Sequence, residues 1–139
     1  MTRRDLPLLM MLPAMLAQAQ GAKKLPSTCW KYEDLQAKTN GENHSRAFFN
    51  GTTHSGFPID MHETDLAPGK MPHAAHSHEH EEMIFIREGT LEVTISGKAT
   101  RLGAGSVAFV ASGEHHGWQN VGTTRAKYFV MALGRQPKA

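Results

Sequence analysis

Three histidines and a glutamate are spaced so that they can share one ion. His76 and His78 lie two residues apart, Glu82 comes four further on, and His116 stands beyond a stretch rich in glycine and β-forming residues. Three imidazoles and one carboxylate supply nitrogen and oxygen donors of intermediate softness, with one negative charge to set against a divalent cation. Such a set suits manganese, iron, nickel, copper or zinc.

The chain that carries these residues must satisfy a geometric condition. A strand advances about 3.3 Å per residue and its side chains alternate between faces, so His76 and His78 can share a face. Glu82 has the same parity, but four residues of extended chain would carry its Cα about 13 Å beyond that of His78. Ligands sit about 2 Å from the ion they hold, so the chain must bend between the two. Glu79, His80 and Glu81 are read as that bend, which makes His80 a neighbour of the site rather than a fifth ligand.

With 139 residues the chain is sized for one domain with a modest core. A net charge of +2 with scattered basic residues gives no patch for nucleic acid or for an anionic membrane surface. Histidine stands out instead, with nine in the chain and six of them between His73 and His116.

Residues 1–19 read as a secretory signal, with Arg3 and Arg4 as the basic start, Leu6 to Leu16 as the apolar run and Ala17-Gln18-Ala19 as the cleavage site. Cleavage before Gln20 leaves a secreted or periplasmic protein without a stable membrane anchor. The run is too short to span a bilayer, and Pro7 and Pro13 interrupt any helix there. Thr2-Arg3-Arg4-Asp5-Leu6 is similar to the start of a twin-arginine signal, from which Pro7 departs. Export in the folded state would let the metal be loaded before copper and zinc can compete for the same ligands. Cys29 is the single cysteine, so no intramolecular disulfide can form, and it is read as a buried or idle thiol.

Gln20 to Arg46 is polar and is read as a loosely packed arm with one helical turn near Tyr32 to Ala37. Residues 47–139 form the domain. Phe57, Ile59 and Met61 alternate with Pro58, Asp60 and His62, and Leu91, Val93 and Ile95 alternate with Glu92, Thr94 and Ser96, the pattern of strands with one wet face. Gly97-Lys98 is placed at the turn into Ala99 to Leu102. Ser106 to Ala111 is apolar on both faces, which predicts a central strand, and Tyr128 to Leu133 is the last apolar run. Short strands at close spacing with no long helix predict an all-β antiparallel sandwich or barrel.

Gly69, His76-Ser77-His78, Glu82 and Gly89 resemble the first signature of the cupins, and Gly105, Gly113, His116 and Asn120 resemble the second. Six residues separate Gly69 from His76 where five are usual, and Ala111 stands where proline is common; both departures touch turns rather than ligands. The resemblance runs from about Ile59 to Leu133. It implies a double-stranded β-helix, or jelly-roll, barrel. Within it His76, His78, Glu82 and His116 would hold one divalent transition metal, manganese or iron favoured, and leave positions for water or substrate. A homodimer is also implied.

The function implied by such a centre is that of a secreted metal-dependent dioxygenase, or a lyase or isomerase, acting on a small oxygen-rich molecule, with Glu82 as the catalytic base. The alternative is a binding or sensor module that holds a small ligand without turning it over. Trp118 is read as either lining the pocket or padding the core, His115 as pointing away from the site, and Tyr128 and Met131 as core.

Overall fold

Alternation decides which side chains point inward. The computed structural model describes residues 23–134, so the leader expected over residues 1–19 lies outside the described residues. Nine strands come after a single 3-10 turn at Tyr32–Asp34: β1 (Ala37–Asn40), β2 (Asn43–Thr52), β3 (Pro58–Leu66), β4 (Glu81–Glu88), β5 (Leu91–Ile95), β6 (Lys98–Leu102), β7 (Val107–Val110), β8 (His116–Asn120) and β9 (Ala126–Leu133). They form a six-stranded sheet in the order β1-β2-β3-β9-β4-β7 and a three-stranded sheet in the order β6-β5-β8. All of the strand pairings are antiparallel, giving the expected all-β jelly-roll architecture.

The core lies between the sheets. Ile84 and Ile86 of β4, Leu91 and Val93 of β5, and Ala126, Tyr128 and Val130 of β9 are buried there with Leu66 and Trp118. Burying each large aliphatic side chain contributes about 1.5–3 kcal/mol. In β9 the alternation is complete, with Ala126, Tyr128, Val130 and Ala132 inward and Lys127, Phe129, Met131 and Leu133 on the outer face. Met131, expected in the core, is therefore half-buried on the outside.

Several expectations shift by small amounts for local reasons. The β5–β6 turn is Ser96-Gly97 rather than Gly97-Lys98, because Ile95 pairs with Lys98 across a two-residue loop. Both loop residues take positive φ, 47° and 81°, the twist that suits a tight hairpin. Ser106 to Ala111 is not central: β7 is the edge of the larger sheet, and Val107 and Phe109 are each 52% exposed. Its second apolar face points outward.

The stretch read as a loose arm is held at several points. It supplies β1 and the first part of β2, so the expected boundary at residue 47 falls inside a strand. Upstream, Leu25 donates its N–H to the Thr52 carbonyl, and Trp30 packs on Phe49 with ring centroids 4.9 Å apart. Tyr32 donates to Glu63 Oε1 at 2.7 Å, and the guanidinium carbons of Arg46 and Arg87 lie over its ring, 5.0 and 5.3 Å from the centroid. Cys29 is exposed, not buried, because this strap crosses the outside of the sheet.

Candidate metal centre

Each candidate ligand is positioned by backbone before any ion is considered. Glu82 is the second residue of β4 and points inward with Ile84 and Ile86. His116 opens β8, also inward. His76 pairs with His116 through an isolated antiparallel bridge, each N–H donating to the other carbonyl at 2.9 Å. The chain then bends at Glu79 and His80, as the spacing required, and enters β4 at Glu81.

Two glycines allow this approach. Gly113, at φ +80°, donates its N–H to the His78 carbonyl at 2.8 Å and so fastens the second loop to the first. Gly117 lets the segment before His76 lie flat on β8: a Cβ there would come within 2.9 Å of Ala75 Cβ and 3.1 Å of its Cα.

The rings converge. His76, His78 and His116 offer nitrogen atoms within 4.8 Å of one another, and His78, His80 and Glu82 form a second such group that shares His78. Glu82 Oε2 lies 3.2 Å from His116 Nε2, and Glu82 Oε1 lies 3.4 Å from His78 Nε2. The four sequence-predicted ligands thus meet at one place, Glu82 and His116 deeply buried and His76 and His78 toward the mouth.

Hydrogen bonds on the far side of two rings set their tautomers. His116 Nδ1 lies 2.8 Å from the Glu114 carbonyl, and His78 Nδ1 lies 2.8 Å from the His80 carbonyl. A carbonyl only accepts, so in each neutral ring the proton sits on Nδ1 and the Nε2 lone pair faces inward. There both lone pairs meet the oxygens of the Glu82 carboxylate, which also only accepts. Acceptors facing acceptors this closely call for a positive charge between them. Moreover, Nε2 of His76 and of His78 is buried without a hydrogen-bond partner. Buried polar atoms are almost always paired, so this donor set fits a cation. Burial, and then repulsion from His73, His116 and His78, holds the His76 pKa below the ordinary histidine value and keeps its ring in the ligating, neutral form.

Surrounding residues sort themselves by direction. Trp118 is core, donating Nε1–H to Tyr128 Oη at 2.8 Å, and its ring also lies alongside His116 with centroids 6.0 Å apart. His115 lies on the other side of β8, where it lines a groove of about 280 Å³ with Met71, Glu92, Thr94 and Gln119. His80 is a close neighbour, stacked on His78 with centroids 3.6 Å apart and Nε2 3.4 Å from Glu82 Oε1. Asn120 is fully buried away from the rings, donating to the Leu66 and Thr124 carbonyls and accepting from the Gly122 N–H; its role is to fasten turns.

The residue patterns did not single out three contributors. His73 stacks on His76 at 4.3 Å, Glu114 orients His116 through its carbonyl, and Gly117 gives the His76 segment room. A backbone carbonyl leaves no mark in sequence. A lone glycine between His116 and Trp118 in an otherwise β-forming run was the available signal for close backbone approach.

Comparison with known proteins places this geometry. No curated protein matches the chain. Solved structures similar in fold include KdgF from Halomonas sp., 13% identical with a TM-score of 0.67 over 81% of this chain and 97% of that one. A predicted oxalate decarboxylase from Thermotoga maritima is 19% identical with a TM-score of 0.64 over 78% of this chain and all of that one. The polyketide cyclase RemF from Streptomyces resistomycificus is 19% identical with a TM-score of 0.62 over 80% of this chain and 82% of that one. The profile of the cupin domain matches residues 62–132, a little over half of the chain and the span that holds all four converging side chains; the chain belongs to the cupin domain family.

Proposed function

We propose that this cupin is an exported, mononuclear metal enzyme, a dioxygenase or a metal-dependent lyase or isomerase, acting on a small oxygen-rich molecule such as an enol, a hydroxy acid or a sugar acid. The observation that carries this reading is the opposition of the Glu82 oxygens to the inward lone pairs of His116 and His78, 3.2 and 3.4 Å away. His76, His78, Glu82 and His116 would hold the metal, manganese or iron by preference, with nickel, copper or zinc also fitting the donor set. Bound there, the ion would supply Lewis acidity toward a carbonyl or enolate oxygen, or bring substrate and dioxygen together.

The chain's own contributions are orientation, water exclusion and a base. The carbonyls of Glu114 and His80 hold two of the rings in the required tautomer. Trp118 and Tyr128 close the interior behind His116. Glu82, swung off the ion, would be the carboxylate that takes a proton from a bound substrate's carbon or hydroxyl. Enzymes of the same fold, a polyketide cyclase and a predicted oxalate decarboxylase among them, support an enzymatic reading. Nucleic acid is not an expected partner, and no helix among the described residues is long and apolar enough to cross a membrane.

The test is elemental analysis by plasma mass spectrometry on protein exported by its own leader and purified without affinity tag or chelator. The expected result is close to one manganese or iron per chain. No metal, with none taken up on reconstitution, would replace this reading with that of a non-catalytic binding or sensor module.

A further inference from the structure

The two sheets stay apart where their edge strands β6 and β7 approach. Across the smaller sheet His116, Ile95 and Lys98 are directly opposed in register, and Trp118, Val93 and Thr100 form the next row. Directly opposed residues share a face, so Lys98 and Thr100 belong to the inward face with His116 and Trp118. Both are nevertheless exposed, since the packed core stops at Val93 and Ala108, with Ile95 and Leu102 half-buried at its margin. The space left between the sheets is a slot of about 320 Å³, walled by Val93, Ile95, Leu102 and Ala108, with Val107 at its lip.

Among the described residues that line the slot, Lys98 alone carries a charge, and Thr100 supplies the one hydroxyl. The lysines held in ion pairs among the described residues are Lys70 and Lys127, so Lys98 has no carboxylate partner. An edge strand can carry an inward-pointing lysine merely to prevent pairing with another chain. Here, however, the lysine stands over an apolar space whose volume falls within the roughly 300–1,000 Å³ of small-molecule sites, which combine apolar walls with a few placed polar groups.

We propose that the slot takes the apolar body of a small carboxylic acid, with the carboxylate on Lys98. Ile95 joins the slot to the candidate metal centre, because it lines the one and pairs with His116 of the other. Strands about 4.8 Å apart put Lys98 about 10 Å from His116 along that row. A ligand lying over Ile95 is thus held by its acid at Lys98 and presents its far end to the four converging side chains. That last step rests on the metal-enzyme reading, and the binding of the acid does not. The walls also narrow the substrate class to an enol or hydroxy acid on an apolar body. A sugar acid would bury several hydroxyls against a surface that offers them Thr100 alone, and unpaired polar groups are costly to bury.

The experiment is calorimetric titration of the exported chain with octanoate and, as its uncharged counterpart, octanol, with methyl signals in nuclear magnetic resonance locating each ligand. Octanoate is expected to bind and to shift the methyl signals of Val93, Ile95 and Leu102. Lys98 is exposed, so its substitution leaves the core intact. Lys98→Met should weaken octanoate about fivefold, the scale of one partly exposed ion pair, and leave octanol unchanged, while Lys98→Arg keeps octanoate. Thr100→Trp, which fills the slot from an exposed position, should weaken both ligands. Absence of octanoate binding overturns the proposal, as do shifts confined to other parts of the chain. Equal octanoate binding by Lys98→Met and the wild type also overturns it and leaves Lys98 as a guard of the edge strand. The titrations are repeated after chelation, and a Lys98 effect that vanishes there would show an ion holding the acid, which overturns the proposal too. Metal content is measured in parallel, so a chain that binds octanoate through Lys98 but takes up no metal keeps this proposal and loses the metal-enzyme reading.

Discussion

His76 and His116 face each other across a single antiparallel bridge in which each backbone N–H donates to the other's carbonyl at 2.9 Å. Two of the four converging side chains are therefore set opposite one another by main-chain bonds, from two segments 40 residues apart. Replacing His116 by alanine keeps those bonds, because they are made by backbone. Metal affinity should fall on the order of 100-fold while the far-ultraviolet spectrum stays that of the wild type. Calorimetric titration with manganese or zinc checks this, and wild-type affinity would remove His116 from the ligand set.

Gly117 offers a test in which no ligand is altered. An alanine there brings a Cβ within 2.9 Å of Ala75 Cβ and 3.1 Å of Ala75 Cα, so backbone must move and His76 moves with it. Gly117→Ala should weaken metal binding about tenfold, comparable to removing an outer-shell partner, and lower the thermal midpoint. Unchanged affinity would mean that the approach of the 75–78 segment to β8 does not set the position of His76.

Much of this candidate centre was legible because the residues that converge there obey spacing rules. The parity of His76 and His78, the bend forced between His78 and Glu82, and the alternation in Leu91 to Ile95 all derive from strand geometry. The strap was not legible, since Trp30 and Tyr32 stand in a polar stretch and their partners Phe49 and Glu63 are reached only through the fold. Ser106 to Ala111 misled for a related reason. Apolar residues on both faces suggest burial on both faces, yet β7 lies at the edge of the larger sheet and leaves Val107 and Phe109 half exposed.

Glu82→Gln should have opposite effects on two measured quantities. A glutamine amide can present an N–H to the His116 lone pair, which in the wild type faces a carboxylate oxygen at 3.2 Å. In chelator the variant should therefore be more stable than the wild type, by about 1 kcal/mol, the net worth of one buried hydrogen bond. Metal affinity should fall, and proton abstraction from any substrate found should fail. A variant less stable than the wild type in chelator near pH 8 would show that His116 and Glu82 are not opposed acceptors.

Tyr128 makes stability sensitive to alkali. Burial pushes its phenol up to about 12 from the ordinary value of 10.0, and Trp118 donates Nε1–H to the phenol oxygen at 2.8 Å. A raised pKa in the folded state means that the fold favours the neutral phenol. Its contribution is fully present below pH 10 and is lost as pH rises through about 12, the folded-state value. Two pKa units correspond to roughly 3 kcal/mol, so the urea midpoint should decline steeply across that interval. Tyr128→Phe removes the titration but leaves the Trp118 N–H without its partner, which costs about 1–3 kcal/mol at pH 8. The variant should accordingly start lower and fall less between pH 10 and 12. Parallel curves for the two proteins over that range would show that another group controls the alkaline transition.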